Sequence, residues 1–215
     1  MSNEPVVHSS DLRLALSKAM NALQANQSEL QELDAAVGDG DLGFTVSAGA
    51  SSVLARLESL EDGNPHTILV EAGKAFNKAA SSTFGTLFSA ALMSAGKAAG
   101  EAIDLSLSDL CSMLGAAIDT VQQRGRAKLG DKTFLDILIP VHEAFGALLK
   151  EGKASAEIAT HLQVVANEAL EQSASLEAKA GRASYIGERS KGVPDPGGKA
   201  ICVVLASVAS TGNSS

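Results

Sequence analysis

The sequence predicts an all-α protein: a single domain over residues 1–215, built of about eight helices. Composition is the first observation, since 45% of the residues are hydrophobic but only 3% are aromatic, and strand-favouring runs are nearly absent. The second is periodicity, because apolar residues recur at helical spacing, as in Leu12, Leu16, Met20 and Leu23. No segment alternates with a period of two for long enough to predict a strand.

The first two helices are predicted from caps and apolar spacing. The first runs from Asp11 to Gln24 behind Ser9 and Ser10 as caps, and a continuation carries its apolar pattern towards Val37. The second occupies Phe44–Leu60. The glycine-rich stretch between them interrupts the helical pattern and predicts a loop.

The next three helices have clear start signals. Asn64-Pro65 opens the third, because proline is favoured at the first helical position. The fourth covers Thr86–Ala99, and the fifth runs to Gln123 behind Ser106 or Ser108 as its cap.

Three further helices complete the bundle. The sixth spans Thr133–Lys150 and should kink at Pro140, which lacks a backbone donor. The seventh covers Ser155–Lys179, and the last runs from Gly198 to Ser210.

Four connections depart from the helical composition, being rich in Gly, Ser, Thr, Asp or Arg: Val37–Gly43, Ala80–Gly85, Gly125–Lys132 and Gly181–Gly198. In an antiparallel bundle, alternate connections lie at the same end. These four are the odd-numbered connections, so they are predicted to meet at one end and form a site there.

Three aspartates in the first of these loops predict a magnesium site. Asp34, Asp39 and Asp41 lie within LDAAVGDGDLG, with no basic residue among them. Asp39 is expected to fold back towards Asp34, while Asp41 caps the following helix. Clustered carboxylates repel one another unless a cation joins them, and Mg²⁺ combines carboxylates with phosphates and waters. The pattern lacks the spacing of an EF-hand, and simple helix capping is the alternative interpretation.

The other loops favour phosphate binding. Ser81–Gly85 precedes a helix whose free amides could bind phosphate, although an ordinary Ser/Thr cap explains it equally well. Gly181–Ala200 is long for a connection in a compact domain, and its Arg182 could bind phosphate or pair with surface carboxylates. Carboxylates, helix starts and an arginine together suggest a nucleotide di- or triphosphate, without any P-loop motif.

Charge and hydropathy exclude several other classes of protein. The net charge of −8 and the pI near 5.0 disfavour a nucleic-acid-binding protein. The first ten residues lack the pattern of a signal peptide, and no apolar run approaches the roughly 20 residues of a membrane span. We therefore expect a cytoplasmic protein that binds neither nucleic acid nor membrane.

Three stretches carry a family resemblance: LDAAVGDGDLG, RGRAKLGDKTFLDILIPVHEAF and AKAGRASYIGERSKGVPDPGGKA, in that order. They resemble the L subunit of dihydroxyacetone kinase, which is also found as the C-terminal nucleotide domain of single-chain dihydroxyacetone kinases. The resemblance implies a barrel of eight antiparallel helices that binds ADP or ATP at one end, with two Mg²⁺ ions on three aspartates.

The family's functional residues can be placed in this sequence by its motifs. The resemblance implies Asp34, Asp39 and Asp41 as metal ligands. The chain departs from the usual pattern at Leu42, where the family has His, and at Ser81–Gly85, where it often has Gly-Gly-x-Ser-Gly. The implied nucleotide-binding residues are Leu42, Thr45, Ser82, Thr83, Phe84, Gly125, Phe134, Arg182, Asp195, Pro196 and Gly197.

The resemblance also implies a function. In the family, a separate K subunit binds the ketone, and the L subunit presents the γ-phosphoryl group without a covalent catalytic residue of its own. The departures suggest a divergent branch that acts on another small ketose, such as a tetrulose. The nucleotide could exchange as ATP, or stay bound as ADP and be recharged by a phosphoenolpyruvate-dependent phosphocarrier subunit. A non-catalytic module that senses nucleotide is the alternative from another functional class.

Overall fold

The computed structural model describes residues 6–61 and 63–209, and it confirms the predicted all-α class. A single 3₁₀ segment, Arg182–Ser190, lies between the last two helices of this part of the chain. The α-helices of the described residues are α1 (Ser9–Ala25), α2 (Gln27–Val37), α3 (Leu42–Ser59), α4 (Pro65–Ala79), α5 (Thr83–Ala99), α6 (Leu107–Gly125), α7 (Leu135–Lys150), α8 (Ser155–Ser173) and α9 (Pro196–Ala209).

The helices form a closed ring. From α3 onwards each helix packs against the next, and α9 packs against both α1 and α2, which also contact α3. Because α1 and α2 follow one another across Asn26, the ring has eight positions, as predicted. Its centre is one contiguous apolar core, in which Met20, Leu23, Leu30 and Phe76 are fully buried.

A short two-stranded sheet was not predicted. β1 (Val6–His8) pairs antiparallel with β2 (Asp104–Ser106), and Val7 stands opposite Leu105. Three residues per strand are too few to produce a recognisable alternation, so no sequence pattern could reveal it. The pairing places buried Leu105 in the core.

Several helix ends differ from the predicted ones. Ser9 and Ser10 belong to α1 rather than capping it, because the backbone amide of His8 donates to the carboxylate of Asp11 at 3.0 Å and makes His8 the cap. α5 begins at Thr83, three residues earlier than predicted.

The last two helices also differ. α8 ends at Ser173 instead of Lys179, and α9 begins two residues early at Pro196; the predicted end at Ser210 lies outside the described residues. In the described ranges, no helix combines the length and apolarity required to cross a lipid bilayer.

Gly43 allows α2 and α3 to approach closely. A Cβ atom at this position would collide with the carbonyl oxygen of Gln27 and would lie 2.7 Å from the Cβ of Gln31. Backbone cannot move aside as a flexible side chain can, so only glycine fits. The contact matters for the site because α2 carries Asp34 and α3 begins beside Asp41.

We predict that Gly43→Ala lowers the free energy of unfolding by about 1–3 kcal/mol, because the methyl group forces α2 away from α3. Urea unfolding measures the change. Gly146→Ala is the matched control: Gly146 lies inside α7 with no atom within 4 Å of an added Cβ. That substitution should stabilise the protein by about 0.5–1 kcal/mol through helix propensity alone. Equal effects of the two substitutions would contradict the proposed steric role.

Candidate functional site

All four unusual loops contribute to the wall of one cavity at one end of the ring, as the alternating connections predict. The residues that line it come from the α2–α3, α4–α5, α6–α7 and α8–α9 connections and the helix ends beside them. Of the predicted site residues, the lining includes Asp34, Asp39, Asp41, Leu42, Ser82, Thr83, Phe84, Gly125, Phe134, Arg182, Asp195, Pro196 and Gly197.

Thr45 is the predicted site residue that the cavity wall does not include. It lies in the first turn of α3, where its amide donates to the carbonyl oxygen of Asp41 at 2.9 Å. It therefore lies one turn beyond Asp41, whereas its neighbour Leu42 is buried and lines the cavity.

The three aspartates form a compact cluster. One carboxylate oxygen from each of Asp34, Asp39 and Asp41 lies within 4.8 Å of the others. Gly40 supports this arrangement, since its φ of +72° turns the chain back between the two loop aspartates. Oxygen ligands at this spacing suit a hard divalent cation such as Mg²⁺, so the donor set fits the predicted metal.

The cap of α3 comes from the preceding helix, which corrects one prediction. Asp34 Oδ2 accepts hydrogen bonds from the backbone amides of Asp41 at 3.0 Å and Leu42 at 3.2 Å. Asp41 occupies the N-cap position but makes no capping bond with its own side chain. Its carboxylate is therefore available to a cation. Burial and the neighbouring charge of Asp34 raise the pKa of Asp41, which reflects the unfavourable clustering of negative charge.

Arg182 reaches this cluster from the α8–α9 connection. Its guanidinium forms an ion pair with Asp39, and its Nη1 lies 3.1 Å from Asp41 Oδ2. The side chain is half-exposed, so the pairing depends on solvent-screened contacts rather than on a buried bridge. The arginine thus places positive charge where the carboxylates would otherwise repel one another.

The start of α5 also contributes to the cavity wall. Ser82 is its N-cap, and Ser82 Oγ accepts a hydrogen bond from the amide of Gly85 at 3.0 Å. The ordinary serine cap that the sequence allowed is therefore present. Ser82 and exposed Thr83 also line the cavity, so other amides of the first turn remain available to an anion there.

An apolar face lies next to this helix start. Phe84 and Phe134 meet edge to face with ring centroids 5.5 Å apart, and Phe84 stacks on Phe88 at 5.6 Å. Leu87 and Val121 extend the same surface, although sequence reasoning did not select them. A flat apolar surface of this kind can bind a nucleobase.

A family model described as the DAK2 domain matches residues 36–210, which contain all four loops. The chain belongs to the DAK2 domain family. The resemblance to the L subunit of dihydroxyacetone kinase is thereby confirmed at the level of the family.

Relatives of this DAK2 domain include both separate subunits and parts of longer kinases. The ADP-binding subunit DhaL of the PTS-dependent dihydroxyacetone kinase of Lactococcus lactis subsp. lactis is 32% identical over 182 residues, covering 85% of this chain and 86% of that protein. The L-erythrulose 1-kinase of Mycolicibacterium smegmatis is 36% identical over 183 residues, covering 84% of this chain but 32% of that protein. The chain therefore spans about a third of the erythrulose kinase's length.

A solved structure shares the fold. The dihydroxyacetone kinase of C. freundii in complex with AMP-PNP and Mg²⁺ superposes with a TM-score of 0.69 at 24% identity, over 92% of this chain and 33% of that one. At this identity, the likeness establishes the architecture of the DAK2 domain and no more.

Asp195 is an unusual member of the cavity wall. Its Oδ2 accepts from the amide of Gly198 at 2.6 Å, which caps α9, and its own amide donates to Ser173 Oγ at 3.1 Å. Burial raises the pKa of Asp195 to about 7, with a further contribution from the nearby charge of Asp136. The cap therefore holds a carboxyl group whose ionisation costs folding free energy near neutral pH.

We predict that Asp195→Asn stabilises the domain increasingly as the pH rises from 5 to 8. A carboxyl pKa raised by folding means that the native state binds more protons than the unfolded state between about pH 4 and pH 7. Wild-type stability therefore falls over this range, while the uncharged amide keeps an oxygen acceptor for Gly198 without that penalty. The gain should reach on the order of 2 kcal/mol at pH 8.

Denaturant unfolding at several pH values measures this difference. Asp119→Asn is the control, because Asp119 lies exposed on α6 outside the cavity. A gain that is the same at pH 5 and pH 8 would contradict the raised pKa of Asp195.

Proposed function

We propose that this DAK2 domain is the nucleotide-binding part of a small-ketose kinase. It binds ADP or ATP with two Mg²⁺ ions and presents the γ-phosphoryl group to a ketose held by a partner K subunit. The observation that carries the proposal is one cavity that joins three clustered carboxylates, the starts of two helices and an aromatic face. These are the parts needed for a metal, a chain of phosphates and a base.

Asp34, Asp39 and Asp41 are the proposed metal ligands. When bound, Mg²⁺ neutralises the charge of the β- and γ-phosphates and keeps the transferred group oriented. The chain's own contribution is to hold the carboxylates in place. Asp34 does so by capping α3, which fixes its side chain between its own helix and the next.

The remaining predicted residues are proposed to bind the nucleotide. Ser82 and Thr83 present the first-turn amides of α5 to phosphate oxygens. At α9 the Asp195-Pro196-Gly197 turn offers the amide of Gly197, because Pro196 has no N–H and the Gly198 amide donates to Asp195. The base would lie against the apolar face. Its proposed contacts are Leu42, Phe84, Gly125 and Phe134. Thr45, which lies outside the cavity wall in the first turn of α3, is proposed as a nucleotide contact on the family resemblance alone.

Arg182 is proposed to exchange partners when the nucleotide binds. Its guanidinium pairs with Asp39 and Asp41, two of the three metal ligands. Cations on those carboxylates would release the arginine, and phosphate oxygens are the acceptors that suit its planar fork. Arginine and metal would then share the task of neutralising the phosphates.

The acceptor is proposed to come from the partner. The described residues that line the cavity include no His or Cys, the residues most often used as a base or a nucleophile. We therefore assign no catalytic residue to this domain. Its role is positioning and charge stabilisation, which are the main contributions to phosphoryl transfer.

Two ketose classes remain in the proposal. Dihydroxyacetone is supported by the similarity to the DhaL subunit of L. lactis, and a tetrulose is supported by the similarity to the L-erythrulose 1-kinase. Two phosphate sources also remain in the proposal. One is ATP that exchanges freely, and the other is bound ADP that is recharged by a phosphoenolpyruvate-dependent phosphocarrier subunit.

We predict that Asp39→Ala abolishes measurable binding of Mg-ADP without changing the helical fold. Asp39 is exposed in its loop, so its carboxylate supports a metal rather than packing. Isothermal titration with Mg-ADP, together with far-UV circular dichroism, measures both effects. Asp119→Ala, an exposed position outside the cavity, should bind like the wild type. Near-normal affinity in the Asp39 variant would rule out its role as a metal ligand.

We also predict that the isolated chain phosphorylates no ketose with Mg-ATP, because no His or Cys among the described residues lines its cavity to act as a base or nucleophile for the acceptor. Product should form only when a ketose-binding K subunit is added. The assay compares dihydroxyacetone with erythrulose, and ATP with a phosphoenolpyruvate-dependent system. Ketose phosphate formed by the purified chain alone would contradict the proposed division of labour.

A further inference from the structure

Lys132 is a buried lysine that the proposed chemistry does not use. Its relative exposure is 2%, and its φ of +59° lies in the left-handed region that residues with a Cβ seldom adopt. Burial lowers the pKa of its ammonium group. A charged side chain in a strained backbone conformation is costly on both counts, so its contacts show what it contributes.

The ammonium group joins the two ends of one segment. Lys132 Nζ donates to the carbonyl oxygen of Leu176 at 3.0 Å and to that of Ser190 at 2.6 Å. Residues 177–189 form a loop between Leu176 and Ser190, and Lys132 closes its base by binding both carbonyl oxygens. We call this segment the Arg182 loop, because Arg182 is its contact with Asp39 and Asp41.

Other hydrogen bonds support the same base. The amide of Ala178 donates to Ser190 Oγ at 2.9 Å, and buried Ser190 thus joins both ends of the loop. The amide of Lys179 donates to the carbonyl oxygen of Asp131, the neighbour of Lys132, at 3.0 Å. The loop is therefore held at its base while Arg182 at its exposed part remains half in solvent.

The backbone around Lys132 is itself fixed. Asp136, which is buried in the first turn of α7, accepts from the amides of Gly130 at 2.6 Å and Thr133 at 2.7 Å. The nearby carboxyl group of Asp195 offsets part of the burial cost of the ammonium group. The lysine is consequently anchored to the start of α7, which belongs to the ring of helices.

We infer that Lys132 is a positioning residue: it anchors the base of the Arg182 loop to α7 and so holds the guanidinium over the metal-binding aspartates. The inference rests on the proposed function in so far as it concerns nucleotide binding. Lys132 also lines the cavity, so the competing interpretation is a direct contact between its ammonium group and a phosphate. The two differ in what happens before any nucleotide is present.

The test begins with the free protein. Lys132→Met removes the charge at nearly constant length, and hydrogen exchange measured by mass spectrometry reports on the amides of residues 177–192. We expect exchange in this region to accelerate tenfold or more, because two hydrogen bonds to a charged donor are lost, while the core helices exchange as in the wild type. Lys97→Met, at an exposed position near the end of α5, is the control and should change nothing.

Ser190→Ala is a second variant that leaves the lysine intact. It removes the acceptor of the Ala178 amide and should accelerate exchange in the same region by a smaller factor. If Lys132→Met proves too unstable to purify, this variant tests the anchored base by itself. Unchanged exchange in both variants would overturn the inference.

A double-mutant cycle on Mg-ADP affinity tests the link to Arg182. If Lys132 acts by holding Arg182, then Lys132→Met and Arg182→Ala each weaken binding about tenfold, and the double variant is hardly weaker than either single one. Additive losses, or weaker binding without faster exchange, would instead assign Lys132 to a direct phosphate contact. Faster exchange with unchanged affinity would show that Lys132 has a structural role only.

If wild-type protein binds no Mg-ADP, the proposed function fails, whereas the exchange results still decide whether Lys132 anchors the loop.

Discussion

The arrangement of the site depends on one contact, the capping of α3 by Asp34. The carboxylate of Asp34, near the end of α2, accepts hydrogen bonds from the two backbone amides at the start of α3. These bonds fix the chain between the two helices. The bond places one aspartate of the cluster, orients the helix that follows the other two, and leaves Asp41 without a capping role of its own. Gly43, which has no side chain, allows α2 and α3 to pack closely enough for these hydrogen bonds to form. Local folding and the proposed metal binding would thus be served by one side chain.

The ring of helices explains how residues far apart in sequence share one cavity. Each helix packs mainly on its neighbours, and the connections alternate between the two ends. At the end with the four unusual loops, the buried core residues Phe134 and Val121 line the cavity together with the polar groups of the loops. The wall of this cavity combines the aspartate cluster with the starts of α5 and α9, so an anionic ligand bound through a cation can contact both.

The parts of this arrangement that could be predicted from sequence are those set by local patterns. The convergence of the loops follows from helix order, and the capping role of Asn64 and Ser106 follows from residue type at a helix start. The functions of Asp34 as a cap and of Lys132 as an anchor could not be predicted, because they depend on partners on other elements, 44 and 58 residues away for Lys132. A lysine in a Gly-Asp-Lys-Thr stretch has the composition of an exposed turn, and only the fold shows that it is buried.

The proposed division of labour accounts for the variety of kinases that contain this domain. In the proposed arrangement the groups assigned to metal and nucleotide would not contact the ketose, since the acceptor would enter with the partner. A domain of this kind can serve a dihydroxyacetone kinase as a separate subunit, as DhaL does in L. lactis, or form about a third of an erythrulose kinase. Selection for the acceptor would then act on the K subunit. Selection on this domain would preserve the aspartate cluster, the capped helix starts and the anchored Arg182 loop, which together set the position of the phosphoryl group.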